Sequence, residues 1–181
     1  DDPKIIADAL LSATIKYDLI LTSGGVSTGE EDHVRKVVEN EGSLLFWRLA
    51  IKPGRPVALG QINDTVFIGL PGNPVAAMVT FLQIARPIIL KLSGANDTVP
   101  KLFSVQSDFS YKKKLNRREY VRVQIKKNGN GKLIAKKYQR EGAGILSSMV
   151  FADGFVELSE DIVNVEKGDF VNYIPFSELG L

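Results

Sequence analysis

The sequence predicts an α/β domain over residues 1–96, followed by a small all-β domain over residues 97–181. Three observations carry this. In the first half, helical and strand periodicities alternate, with glycine- and proline-rich corners between them, as in doubly wound α/β folds. Ser93-Gly94-Ala95-Asn96-Asp97 is a run of turn formers that marks a boundary. Beyond it the chain reads as short alternating strands joined by turns.

Asp2-Pro3 opens the first helix, an N-cap acceptor followed by proline at the first helical position. Ile5, Ile6, Ala9, Leu10 and Ala13 then recur at helical spacing. Asp18 to Thr22 is a short apolar strand running into the loop Ser23 to Gly29. Thr28 with Glu31 fits a capping box for the next helix. Val34, Val37 and Val38 form its apolar stripe, and Gly42 stops it. Leu44 to Ile51 reads as a strand, broken by Lys52-Pro53-Gly54-Arg55-Pro56. Val57–Leu59 and Thr65–Leu70 are two further strands, turned at Asn63-Asp64. Asn73 caps and Pro74 starts a helix from Val75 to about Leu92. It is apolar nearly all round, so it is predicted buried, with a kink at Pro87. In the second domain Tyr120 to Lys126 alternates and Asn128 to Gly131 is a hairpin turn. Leu133–Tyr138, Phe155–Leu158 and Phe170–Phe176 complete the strands.

The 181 residues are 44% hydrophobic and 24% charged, an ordinary balance for a soluble globular chain. The absence of cysteine excludes disulfides, thiolate metal sites and a cysteine nucleophile. The single histidine excludes a multi-histidine metal site. Chemistry must therefore run on carboxylates, cations, hydroxyls and backbone amides. The net charge of +2 conceals a division: 9 basic and 11 acidic side chains over residues 1–100, 13 and 2 over 101–140, 1 and 8 over 141–181. No apolar run approaches the roughly 18 residues of a membrane span, and no signal peptide precedes the first helix. Both point to the cytoplasm.

Four stretches could carry chemistry. Ser23 to Gly29 lies between a strand and a helix, where backbone amides and the helix N-terminus meet phosphate. Gly24 and Gly29 have P-loop separation, but Glu30-Glu31 stands where a P-loop needs Lys-Ser/Thr. A plain connecting loop is the competing reading. Asp32, just past it, suits Mg2+ or a base, or is a helix-start acid favoured by the helix dipole. Arg48, Lys52 and Arg55 flank a turn stiffened by Pro53 and Pro56, an arrangement suited to an oxyanion. Cations guarding an exposed strand edge are the alternative. Leu70-Pro71-Gly72-Asn73-Pro74 is a second strand-to-helix corner, or simply a well-made N-cap. The basic run Tyr111 to Arg122 invites a nucleic-acid reading, but no RNA-binding signature accompanies it. A solvated outer face of strands is the commoner use of such a run.

Asp18-Leu19-Ile20-Leu21-Thr22-Ser23-Gly24-Gly25-Val26-Ser27-Thr28-Gly29 with Asp32 closely resembles the molybdopterin-binding motif of the MoeA family, the molybdopterin molybdenumtransferases. Phe46 to Pro56, Gly69 to Val75, Arg118 to Val123, Ala152-Asp153-Gly154 and Lys167-Gly168-Asp169 match the same family in order. The resemblance implies a mainly parallel sheet with flanking helices, then a β-barrel-like C-terminal domain. It implies insertion of molybdate into molybdopterin, with the adenylylated pterin as productive substrate and Mg2+ as helper. It further implies a cytoplasmic homodimer with a molybdopterin adenylyltransferase as pathway partner, and neither nucleic acid nor membrane. By the same resemblance Ser23, Gly24, Gly25, Ser27 and Gly29 line the pterin-phosphate pocket. Asp32 is the catalytic or Mg2+-linked aspartate. Arg48, Lys52 and Arg55 hold molybdate or phosphate, and Pro71, Gly72, Asn73 and Pro74 shape the far wall. Ala76 and Ala143 stand where the family often has serine, which removes two hydroxyls from the expected anion contacts. Further N-terminal domains are implied, so the 181 residues alone are expected to bind ligand weakly without turnover. The competing readings are a molybdopterin adenylyltransferase, a non-catalytic scaffold like the gephyrin E domain, and a nucleic-acid binder.

Overall fold

The computed structural model describes residues 2–26, 33–139, 142 and 144–180, the Trp47 side chain excepted. The chain forms two units, Asp1–Leu49 with Gly54–Thr98, and Ala50–Pro53 with Val99–Leu181.

In the first unit, α1 (Pro3–Thr14) starts as the sequence dictates, with the Asp2 side chain accepting from the Lys4 N–H at 2.8 Å. It is followed by β1 (Leu19–Ser23), α2 (His33–Glu41) and β2 (Ser43–Arg48). β3 (Ile51–Lys52) leaves for the other unit; β4 (Pro56–Ile62) and β5 (Thr65–Leu70) return. The expected single strand Leu44–Ile51 is thus two strands in two units. The sheet order is β1-β5-β4-β2. Only β1 and β5 are parallel; β5–β4 and β4–β2 are antiparallel. The sheet is therefore mixed rather than mainly parallel. The cause is local: a tight turn with Asn63 at φ 51° joins β4 to β5, and a parallel pair needs a crossover of about a dozen residues.

Adjacent residues of β5 point to opposite faces. Phe67 packs with Leu10, Val37, Val38 and Ile62 beneath α1 and α2. Ile68 and Leu70 pack with Ala85 on the other face. That second face is covered by a continuous helix made of α3 (Pro74–Thr80), a π-helical turn (Phe81–Ala85) and α4 (Arg86–Leu92). The Arg86 N–H bonds back to the Phe81 carbonyl. This widened turn sits just ahead of Pro87, where a proline ring otherwise collides with the carbonyl four residues earlier. The predicted all-round burial holds only in part: Val75, Val79, Leu82 and Ala85 are buried, but no residue of α4 is. Only one stripe of a helix can face a sheet. Among the described residues this is the one helix long and apolar enough, by length and composition, to cross a membrane, although no uninterrupted apolar run does so. Here it lies on the sheet.

The second unit contains β6 (Phe103–Ser107), β7 (Tyr111–Lys112), β8 (Arg118–Lys127), β9 (Leu133–Lys137), α5 (Ser147–Phe151), β10 (Gly154–Leu158), β11 (Asn164–Val165) and β12 (Phe170–Pro175). The order β10-β12-β6-β9-β8 closes on itself, because β8 also pairs with β10. This is a small barrel, filled by Val105, Val121, Val123, Ala135, Val156, Leu158 and Val171. β3 adds to β8 in parallel, Ile51 opposite Arg118 and Lys52 opposite Glu119. The basic and acidic blocks meet here. Arg118 Nε and an NH2 nitrogen each donate to Glu160 at 3.0 Å. Lys167 pairs with Asp108. Lys113, only 5% exposed, donates to the carbonyls of Lys114, Arg117 and Glu160 at 3.2, 2.6 and 3.3 Å. The basic run is thus not merely a solvated outer face; several of its cations are built into the barrel.

Candidate functional site

β1 and β5 run parallel, with Ser23 opposite Leu70. Both glycine corners therefore emerge at one edge of the sheet, outside the carboxyl ends of two parallel strands, where open α/β sheets place their ligands. The corners touch. The Gly24 N–H donates to the Leu70 carbonyl at 3.0 Å, and the Ser23 hydroxyl donates to the Pro71 carbonyl at 3.3 Å. A Cβ built on Gly72 would lie 3.5 Å from the Gly24 Cα. Gly24 and Gly25 hold φ at 86° and 68°, a region that side chains with a Cβ enter at a cost. Two of the residues predicted to bind phosphate thus act first as stitches: the Ser23 hydroxyl and the Gly24 amide fasten one corner to the other. What they leave is a shallow, backbone-lined junction with Gly72, Asn73 and Pro74 exposed and Pro71 buried. Asn73 takes the N-cap position, but its side chain makes no capping bond. Ala76 is buried in the first turn of α3, so a serine hydroxyl there would not be solvent-facing.

Ser27, Gly29 and Asp32 lie outside the described residues, as does Ala143. Among the described residues no group of three or more His, Cys, Asp or Glu could hold a metal ion. The donor set for Mg2+ is therefore not met by them.

The three cations of the second motif are divided between the two units. Arg48 and Arg55 belong to the α/β unit, where the Leu49 N–H donates to the Arg55 carbonyl at 3.0 Å. Lys52 belongs to the barrel unit, because two residues of β3 join β8. There its Nζ lies 3.2 Å from the Tyr111 hydroxyl and 3.5 Å from Glu119 Oε2. Glu119 is the residue that the motif reading passed over. Alternation had the signal: Glu119, Val121 and Val123 share a face of β8, so a carboxylate points where the barrel core lies and must find partners. The last motifs of the resemblance serve the barrel's own architecture. Asp153 Oδ2 accepts from the Ile125 N–H at 2.9 Å, and Asp169 Oδ2 accepts from the Glu166 N–H at 2.8 Å.

Electrostatics follow the same division. The hydrogen bonds from Arg118 hold the Glu160 carboxyl below its ordinary range, and Glu160 in turn raises Arg118. Burial pushes the Tyr120 hydroxyl upward. Burial, then the neighbouring Asp153 charge, pushes Tyr173 up to about 12.

Residues 1–91 match a family described as "Probable molybdopterin binding domain", and residues 104–176 match the MoeA C-terminal region (domain IV). A molybdopterin molybdenumtransferase of Haemophilus influenzae is 38% identical over 172 residues, which are 94% of this chain and 43% of that protein. A molybdenum cofactor biosynthesis protein from Pyrococcus furiosus superposes with a TM-score of 0.72 at 27% identity, over 97% of this chain and 55% of that one. The molybdopterin biosynthesis MoeA protein from Pyrococcus horikosii shares the fold, with a TM-score of 0.75 at 24% identity over 97% of this chain and 41% of that one. The chain spans less than half the length of the Haemophilus relative.

Proposed function

The chain belongs to the MoeA family, and on that premise we propose that it serves molybdenum cofactor biosynthesis as a molybdopterin molybdenumtransferase, its α/β unit receiving the phosphate end of molybdopterin. The observation that carries this is the junction of the two glycine corners, Ser23–Gly25 and Pro71–Pro74, at one edge of the sheet. A phosphate monoester is a compact dianion, and glycine-rich backbone lets it approach without a Cβ in the way. The same reading takes Ser27 and Gly29 as further pterin-phosphate residues and Asp32 as the candidate catalytic carboxylate. Arg48 and Arg55 are the α/β unit's cations for an oxyanion, and Lys52 is the barrel's. Arginine forks grip two oxygens of an oxyanion at once, whereas a lysine ammonium acts as a point charge.

Molybdate enters as substrate, a tetrahedral dianion transferred to the pterin's sulfurs. Those sulfurs are the soft ligands the metal needs, which accords with a chain that has no cysteine. The same reading takes adenylylated molybdopterin as the substrate form. It takes a cytoplasmic homodimer as the working state and a molybdopterin adenylyltransferase as the enzyme that supplies the substrate. A Mg2+ role rests on Asp32 alone and enters no step here. The test is titration of the chain with molybdopterin and, separately, with molybdate, alongside Asp32→Asn and Lys52→Ala. The reading expects Lys52→Ala to weaken molybdate and Asp32→Asn to alter pterin binding. Unchanged binding of both ligands by both variants refutes the assignment.

A further inference from the structure

Lys52 does not stand on a bare strand edge. Glu119 opposes it across the β3–β8 pair, and the Glu119 side chain is 1% exposed. A carboxylate so far from water persists only if its lone pairs are met. Glu119 Oε1 accepts from Arg117 Nε at 2.9 Å, and the second Arg117 nitrogen completes the ion pair. Glu119 Oε2 accepts from the Tyr111 hydroxyl at 2.7 Å. A phenol has one proton, so that bond fixes its direction: Tyr111 gives its proton to Glu119 and turns a lone pair toward Lys52 Nζ, 3.2 Å away. The ammonium thus rests on two acceptors, the Tyr111 oxygen and Glu119 Oε2. It has three protons, and its side chain is 46% exposed, so it keeps donor capacity for solvent or a ligand. Lys137 Nζ lies 5.1 Å from the centre of the Tyr111 ring and Lys52 Nζ 5.7 Å from it.

We propose that Glu119 and Tyr111 are positioning residues for Lys52: together they fix its ammonium at one place and in one orientation, ready for a tetrahedral oxyanion. This rests on the reading of Lys52 as an anion ligand. Without the pair, Lys52 is a flexible four-carbon chain that must be ordered at the moment of binding, and binding is weaker by that cost.

The experiment follows the Lys52 side-chain NMR resonances of this chain during titration with sodium molybdate, with thermal midpoints recorded in parallel. In the wild type the Lys52 signals shift and saturate. Tyr111→Phe keeps the ring and the Arg117–Glu119 pair but removes the hydroxyl. It is expected to weaken molybdate at Lys52 about 3- to 10-fold, with a lowered thermal midpoint because Glu119 Oε2 loses its donor. Glu119→Gln removes the charge and weakens it further. If both variants bind within about twofold of wild type, or if only their thermal midpoints fall, the pair is merely structural and the proposal is overturned. A wild type whose Lys52 signals never respond to molybdate instead defeats the anion reading of Lys52, and the proposal with it. The two failures are told apart by which protein shows them.

Discussion

The α/β unit and the barrel unit handle polar groups in opposite ways. At the sheet edge of the first, the working surface is backbone: two corners joined by a hydroxyl-to-carbonyl and an amide-to-carbonyl bond, with glycines where φ is positive. In the second, polar work is done by side chains drawn inward: Lys113 caged by carbonyls, and Glu119 held by Arg117 and Tyr111. The lesson is that net charge misdirects. The half that is closer to neutral carries the candidate phosphate site, while Lys113 and Arg117 of the basic block are used in bonds within the barrel.

Lys113 gives the largest expected effect and would break the contrast most sharply. Lys113→Met strands three carbonyls that its ammonium now satisfies. The account expects a loss of about 3 kcal/mol in urea unfolding. The exposed neighbours Lys112→Ala and Lys114→Ala should stay within about 0.5 kcal/mol of wild type. Equal small effects for all three lysines would restore the solvated-face reading.

Next is Gly24→Ala. Its added Cβ has no neighbour nearer than 4.0 Å, but φ is 86°, so the cost is conformational, about 1–2 kcal/mol. Gly72→Ala has an ordinary contact at 3.5 Å and no positive φ and should cost less, by the same measurement. If Gly72→Ala proved the more damaging, the corners would be held by packing and not by backbone conformation.

The α/β order, the helix start at Asp2-Pro3 and the hairpin turn at Asn128–Gly131 were legible because periodicity and turn chemistry are local. The mixed sheet was not, since the resemblance suggested parallel pairs while a tight turn at Asn63 forces an antiparallel one. The departure of Ile51–Lys52 into the barrel was also hidden. Two residues carry no periodicity, and their partner Arg118-Glu119 is 67 residues away. That single non-local pairing puts Lys52 in the barrel unit, while Arg48 and Arg55 belong to the α/β unit.

pH gives the next effect. Tyr173 is buried with its hydroxyl donating to the Asp153 carbonyl at 2.9 Å, and its pKa is raised to about 12. A raised folded-state pKa means the contribution is intact below the unfolded value of about 10 and is lost as pH climbs toward 12. Thermal midpoints of the barrel should therefore fall across that window, and Tyr173→Phe should flatten the fall.

The smallest effect belongs to the solvent-exposed pair Arg118–Glu160. Glu160→Gln should cost about 0.5 kcal/mol, and less in high salt. Because the Glu160 pKa is lowered, its contribution is present above the ordinary carboxylate range and disappears as pH falls through its folded value. A pH series of the variant against wild type checks both.

The central claim is that the two glycine corners form one ligand site. Its most direct measurement is the amide NMR shift map of the 181-residue chain under titration with molybdopterin. The account predicts that Ser23, Gly24 and Gly25 shift together with Gly72 and Asn73, saturating at one common affinity. Shifts confined to one corner, or to the basic run Lys112–Arg122 with both corners silent, would contradict it.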